Sequence, residues 1–452
     1  MRITERRAAR SCLAAFLALL LAGTCLAGCA REPADREGEA VVELARAVVP
    51  EEKNLPKIAV EPEGFGAYLR SSLPAFLEAA AEDGQSQNPV CSPMNLYVCL
   101  SMLAETTGGE SRQQLLRLLG ESDMEAQRTA ANVLWQKNEM KNVSKGGPEG
   151  DFGISLPAAS LWLNEGIPVR QQTADLLAAD YFASSFRGKM GSAAYDEAYR
   201  TWLDEATGGL LADEIAGYRF DPMGVVTLAS TVYYKSRWSD VFDPDETETG
   251  VFHAPSGDSE ARFMKRTFVG DVWRGAHFSA MKLDLRGGKM VFLLPDEGTD
   301  PFDLIRNGEA ADFLAYRDSL PWEEGTLPTF ETVRAILHVS VPKFDASSSA
   351  DISAALASLG ATDVFDPDRA DFTPLIPEDA DLSVSPYVSE ARHAVRVSID
   401  EEGVEGAALT SLTVYGASEP PPEEIDFVLD RPFVFAVVQW GLPLFAGIVN
   451  QP

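Results

Sequence analysis

The chain has 452 residues and 45% apolar content, enough for one large globular domain or two ordinary ones. A formal charge of −31 excludes the basic stripe that nucleic acid or a heparin-like polyanion would need, and suits a soluble, monomeric body. Four histidines and five cysteines, with no metal-ligand spacing among them, give no reason to expect a metal or a cofactor.

Taken in chain order, the first segment is a targeting signal rather than fold. Arg2, Arg6, Arg7 and Arg10 precede an apolar run from Cys12 to Ala22, and Leu26-Ala27-Gly28-Cys29 follows. This resembles a bacterial lipoprotein signal, cut after residue 28, with a lipid carried on Cys29. Losing four arginines and Glu5 takes the formal charge from −31 to −34. The reading implies an exported protein held at a cell membrane or surface. Residues 29–56, charged and weakly apolar, read as an acidic tether, and a single domain is expected over 57–452.

Pro93 opens a helix behind Ser92, with Leu96, Cys99, Leu100 and Leu103 on its inner face and Gly108-Gly109 as its stop. Cys91 and Cys99 sit in apolar sequence at a strand–helix junction and read as buried free thiols. Residues 138–151, rich in glycine, form a surface loop. Trp202, Leu203 and Ala206 continue a helix that ends at Gly208-Gly209. Strands are expected over 225–234 and 336–344, a helix from Asp351 to Leu359, and core strands over 433–438 and 442–449. Over 392–399, His393, Val395, Val397 and Ile399 face one way and Arg392, Arg396 and Ser398 the other. Helices early and strands late make an α+β fold.

Residues 400–418 fit two states. Their composition is that of a loop ending at Pro420, Pro421 and Pro422. Their alternation is that of a strand, with Val404, Gly406, Ala408, Thr410, Leu412 and Val414 on one uncharged face and Glu405, Ser411 and Thr413 on the other. The stretch from Glu402 to Tyr415 would span on the order of 46 Å at about 3.3 Å per residue.

Four separated motifs resemble one family, the serpins. They are Asn88-Pro89-Val90-Cys91-Ser92-Pro93-Met94-Asn95; Leu228 to Trp238 with Phe242-Asp243-Pro244; Val341-Pro342-Lys343-Phe344 with Leu359 to Phe365; and His393 through Glu401-Glu402-Gly403, then Asp430 to Phe435 and Phe445-Ala446-Gly447. The resemblance covers about residues 60–452. It implies three β-sheets, eight or nine helices and an exposed reactive-centre loop. It also implies inhibition of a serine or cysteine endopeptidase by acyl-enzyme trapping, as the cleaved loop enters the large sheet as a strand. The implied loop hinge is Glu401, Glu402, Gly403, Val404, Glu405, Gly406, Ala407 and Ala408. Family spacing from Gly403 puts the scissile bond at Ala417–Ser418, with Gly416–Ala417 as the near alternative. A small Ala417 suits an elastase-like or subtilisin-like protease, and the lack of Lys or Arg between residues 397 and 430 speaks against a trypsin-like one.

Val404 replaces a usual small hydroxyl residue. Gly406 replaces a usual alanine, at about 0.5–1 kcal/mol in backbone freedom. Both would slow insertion without abolishing it. Ser92, Asn95, Ser230 and His393 are expected to form a buried cluster where the sheet opens, with Asn95 and Ser230 exchanged relative to the family pattern. Trp238 is expected to pack where the loop first enters. The competing readings are a serpin fold without inhibition, acting as a binding module or protease substrate, and a solute-binding lipoprotein. Catalysis is rejected: Gly257-Asp258-Ser259 resembles a serine-protease nucleophile, but Glu260-Ala261 follows it and no Gly-x-Ser-x-Gly elbow exists.

Overall fold

The computed structural model describes residues 41–48, 64–82, 87–138, 154–209, 212, 216–315, 330–382, 385–404 and 423–452. All of them fall in one unit, Glu39–Pro452. Cys29, the signal, the 139–151 part of the expected loop, and residues 405–422 with Glu405, Gly406, Ala407, Ala408, Ala417 and Ser418 lie outside the described residues.

Two hydrogen-bonded sheets organise the unit. The first has seven strands in the order β1 (Val42–Ala45), β4 (Ala183–Gly188), β3 (Ile154–Asn164), β5 (Val226–Arg237), β13 (Gly403–Val404), β12 (Arg392–Ile399) and β11 (Phe344–Asp351). The second runs β14 (Glu423–Val428), β10 (Glu331–Pro342), β7 (Gly257–Arg274), β8 (Phe278–Leu285), β9 (Gly288–Pro295), β15 (Phe433–Gln439), β16 (Leu442–Val449) and β2 (Val90–Cys91), with β6 (Glu248–Ala254) also on β7. The resemblance implied three sheets; two of them join here because β7, at 18 residues, is long enough to pair β10 and β6 along much of its length and β8 at its end.

Nine α-helices are seen among the described residues: α1 (Phe65–Glu82), α2 (Pro93–Thr106), α3 (Gly109–Leu119), α4 (Met124–Asn138), α5 (Gln171–Asp180), α6 (Ala193–Thr207), α7 (Pro301–Arg306), α8 (Glu309–Ala315) and α9 (Ser353–Ser358). Among the described residues no helix is long and apolar enough to cross a membrane. Helix α2 is buried nearly all round, as its unbroken apolar run requires. It packs behind the seven-stranded sheet, where Tyr68 of α1 meets Tyr97 edge-on at 5.1 Å and donates its hydroxyl to Pro93 O.

Helix α6 covers the opposite face of that sheet. Its Tyr195, Tyr199 and Leu203, spaced by four, form the buried stripe and close with Trp162 and Phe220 into a second core. Ser192 accepts from Tyr195 N at its start, and Gly208 (φ +60°) ends it in the left-handed conformation. Asp196, fully buried on α6, accepts from Phe220 N and so fixes the segment returning to β5.

The stretch read as a tether contains structure. Val42–Ala45 forms β1, antiparallel to β4, with Ala47 N donating to Ser184 Oγ and Gln171 Nε2 to Leu44 O. Backbone complementarity at the sheet edge decides this, and it leaves little trace in a charged, weakly apolar sequence.

Candidate functional site

The seven-stranded sheet is incomplete in its middle. β13 is two residues long, yet its neighbours are twelve and eight. It pairs Gly403 with Arg237, Val404 with Ser236, and Val404 with Ile399. Beyond that point β5 continues from Ser236 down to Val226, and β12 from Ile399 down to Arg392. Among the described residues no ladder joins the two below β13; one parallel bridge, Val226 to Val388, closes the far end. The result is a seam between β5 and β12, called the slot below, that lacks a ladder and has β13 at its top. Val404, expected on the inward face, is buried there at 2% exposure.

The hinge above the slot is held by side chains from several elements. Trp238, buried at the end of β5, donates Nε1 to Asp400 O at 2.8 Å and its backbone N to Glu402 O at 2.9 Å, and stacks edge-on against Phe242. Glu401 accepts from Lys343 Nζ at 2.7 Å and from Thr247 Oγ1 at 2.9 Å, and its carbonyl accepts from Phe242 N. Burial pushes the Glu401 carboxyl up, but Lys343, its own backbone and Thr247 outweigh burial and hold it below the usual glutamate value. Asp400 Oδ1 accepts from the backbone N of Glu402 and Gly403, which closes the turn. Only glycine fits at 403: a Cβ would stand 2.2 Å from Ser236 O. Glu402 Oε2 is buried without a partner.

Deeper along the slot lies the expected sheet-opening cluster. Ser92 N donates to His393 Nε2 at 2.8 Å, which brings these two residues of the cluster together. Ser92 stands at the N-cap of α2, but its hydroxyl donates to Leu444 O instead of capping the helix. Because Nε2 accepts, neutral His393 carries its proton on Nδ1, and that atom has no partner. Burial lowers the His393 pKa to about 3. The proposed exchange of Asn95 and Ser230 does not yield a hydrogen bond. Asn95 Nδ2 and Ser230 Oγ are both buried and both unbonded. The Ser230 hydroxyl faces the Cys99 thiol of α2.

Among the described residues, His253 and Ser259 do not form a nucleophile–base pair. His253 pairs with Asp258 across the β6–β7 hairpin, both exposed, while the Ser259 hydroxyl is buried without a partner. A nucleophile must share a hydrogen bond with its base, and here none is made. Cys91 and Cys99 are free thiols, and burial pushes the Cys91 thiol up, away from reactivity. The orphaned atoms of the cluster were beyond sequence reasoning, since pattern places a side chain on a face but not its partners.

The fold thus sets a two-residue central strand between β5 and β12, beneath a hinge held by Trp238 and Glu401. The model of the family described as Serpin (serine protease inhibitor) matches residues 73–452. The chain therefore belongs to the serpin family, whose members are mostly protease inhibitors and not enzymes. It is 27% identical to Serpin-Z1C of Triticum aestivum over 402 residues, covering 86% of this chain and 94% of that one. It is 28% identical to Serpin-ZXA of Oryza sativa subsp. japonica over 403 residues, covering 86% and 96%. Among solved structures, the thermophilic serpin tengpin in its native state superposes with a TM-score of 0.72 at 22% identity, over 91% of this chain and all of that one. The Arabidopsis serpin AtSerpin1 in its native stressed conformation gives 0.69 at 23%, over 86% and 98%.

Proposed function

We propose that the protein is a suicide-type inhibitor of an elastase-like or subtilisin-like serine protease, cleaved at Ala417–Ser418 and completed by insertion of residues 405–414 into the slot. The observation that carries this reading is the register of β13. Continuing Val404–Ser236 and Val404–Ile399 in antiparallel register sets Thr410 opposite both Ser230 and His393. Each carries a buried polar atom without a hydrogen-bond partner, as Thr231 and Tyr234 of β5 also do. A threonine hydroxyl can accept from His393 Nδ1–H and exchange a hydrogen bond with Ser230 Oγ. The loop would thus bring to the slot what the buried cluster lacks. The same register ends at Val414 beside Val226, at the foot of β5, so the length of the uncharged face suits the slot.

Export and a lipid on Cys29 belong to the same proposal. They place the inhibitor at a cell surface, where an extracellular protease would meet it. The test is incubation with elastase-like and subtilisin-like proteases, followed by denaturing gels and mass spectrometry of the loop. An SDS-stable complex with cleavage after Ala417 is expected. Clean cleavage without complex by every protease tried would overturn the reading. Val404→Arg, which forces a charge into the slot, should turn complex formation into plain cleavage.

A further inference from the structure

The chain enters the body at one end of the seven-stranded sheet, and that end carries exposed apolar side chains. Val42 of β1 pairs with Arg187, Gly188 with Asn164, and Leu163 with Val226. Val41 and Val42 therefore stand at the same end as the start of β5, about 14 Å from it across three strand spacings. Just ahead of β5, the turn 221–224 holds Met223 outward. Met223 N donates to Asp221 Oδ1 at 2.9 Å, Gly224 N to Asp221 O at 2.8 Å, and Asn164 Nδ2 to Gly224 O at 2.8 Å. Met223 is 70% exposed on this pinned turn, with Val41 and Val42 at 36% and 42%. A turn tied down this firmly, keeping a long apolar side chain in water beside two exposed valines, points to a surface that they meet. Exposed Lys189 and half-buried Arg187 stand here against Glu165 and Asp221. This end is thus near charge balance on a chain of −31, and an anionic surface does not repel it as it would the chain as a whole.

The hinge stands at the other end of β5, where Gly403 pairs with Arg237. Val226–Arg237 is twelve residues, so the two ends lie on the order of 36 Å apart. From Cys29 to Val41 the chain can span at most about 43 Å, and only when fully extended. A bilayer at the hinge end would need that span drawn almost straight along the sheet, whereas a bilayer at the entry end needs no such stretch. We propose that the entry end is a membrane-contact foot: Met223, Val41 and Val42 seat on a lipid bilayer, and the hinge faces away from it. Attachment itself rests on the lipid at Cys29 proposed above, since a few apolar side chains orient a tethered body without holding it there. The reactive loop then meets soluble proteases arriving from the medium, not proteases embedded in the same bilayer.

The test places the lipidated chain on vesicles of phosphatidylcholine with a minority of phosphatidylglycerol and a headgroup spin label. A nitrobenzoxadiazole dye on Lys189→Cys reports the foot, and the same dye on Asp240→Cys reports the hinge end, both being exposed positions. Burial pushes the Cys91 and Cys99 thiols up, Cys99 to about 11, so the added surface cysteine labels first. Quenching at 189 should exceed that at 240 at least about threefold, Met223→Glu should cut it by a similar factor, and Met223→Leu should keep it. Equal quenching at the two positions, stronger quenching at 240, or no effect of Met223→Glu overturns the foot. A second form, residues 30–452 with a hexahistidine ahead of Ala30, is held on a nickel-chelating lipid and keeps nearly the same span to Val41. If the natural chain stays off vesicles while this form shows the expected pattern, lipidation at Cys29 fails and the foot stands. Absence of the pattern in the nickel-held form overturns the foot whatever the natural anchor.

Discussion

Glu401 is the residue on which the hinge turns. Its carboxylate joins Lys343 and Thr247, and its carbonyl holds Phe242 beside Trp238. Glu401→Gln should lower stability at pH 7 by about 2 kcal/mol, the usual range for a partly buried charged hydrogen bond. Urea unfolding of Glu401→Gln, Lys343→Met and the double variant measures it, and an additive cycle would show that the pair is not coupled. His393 sets the acid limit. Its pKa in the fold is about 3 and its unfolded value 6.5, so between these the unfolded chain binds the extra proton. Stability is full above pH 6.5 and falls on acidification by about 1.4 kcal/mol per unit toward pH 3. The depressed Glu401 carboxyl acts with the same sign at lower pH, its contribution being lost as pH falls through its folded value. His393→Gln should flatten the upper part of the pH profile in urea melts; an unchanged slope between pH 6.5 and 5 would remove His393 as the cause.

Among the elements, β12 was legible residue for residue, because one buried face gives strict alternation over 392–399. Helix α2 was legible from Pro93 and its apolar run, and the stop of α6 from Gly208. The strand β1 was not, since nothing in Val42-Glu43-Leu44-Ala45 marks it apart from neighbouring charged sequence until the edge of β4 is known. The hinge and Ser92–His393 followed from the family resemblance, whereas the hydroxyl of Ser92 turned to Leu444 O because α2 starts against β16. Thr410→Val belongs to this scale. It keeps the shape of the side chain and removes the hydroxyl, so His393 Nδ1 and Ser230 Oγ would stay unbonded after insertion. The expected result is a modest fall in the ratio of complex to cleaved product, about threefold for roughly 0.7 kcal/mol in the insertion barrier. Equal partition in Thr410→Val and wild type would mean that the hydroxyl plays no part in the rate.

For the whole molecule, the insertion proposed above predicts that the present arrangement is not the most stable one the chain can form. A strand from Gly406 to Val414 would gain ladder bonds on both sides, at about 1 kcal/mol each, for a total on the order of 10 kcal/mol. Cutting the loop should therefore raise the unfolding temperature, where a nick in an ordinary surface loop lowers it or leaves it alone. Calorimetric scans before and after limited proteolysis within residues 405–422 test this, and a lower midpoint after cutting would contradict it. The strand order β1-β4-β3-β5 also has a mechanical meaning. Any tension on the chain upstream of Val42 enters the body at β1, with β4, β3 and β5 between it and the slot. A tug there peels a four-residue ladder first, so β1 acts as a fuse that parts before the load can reach the hinge.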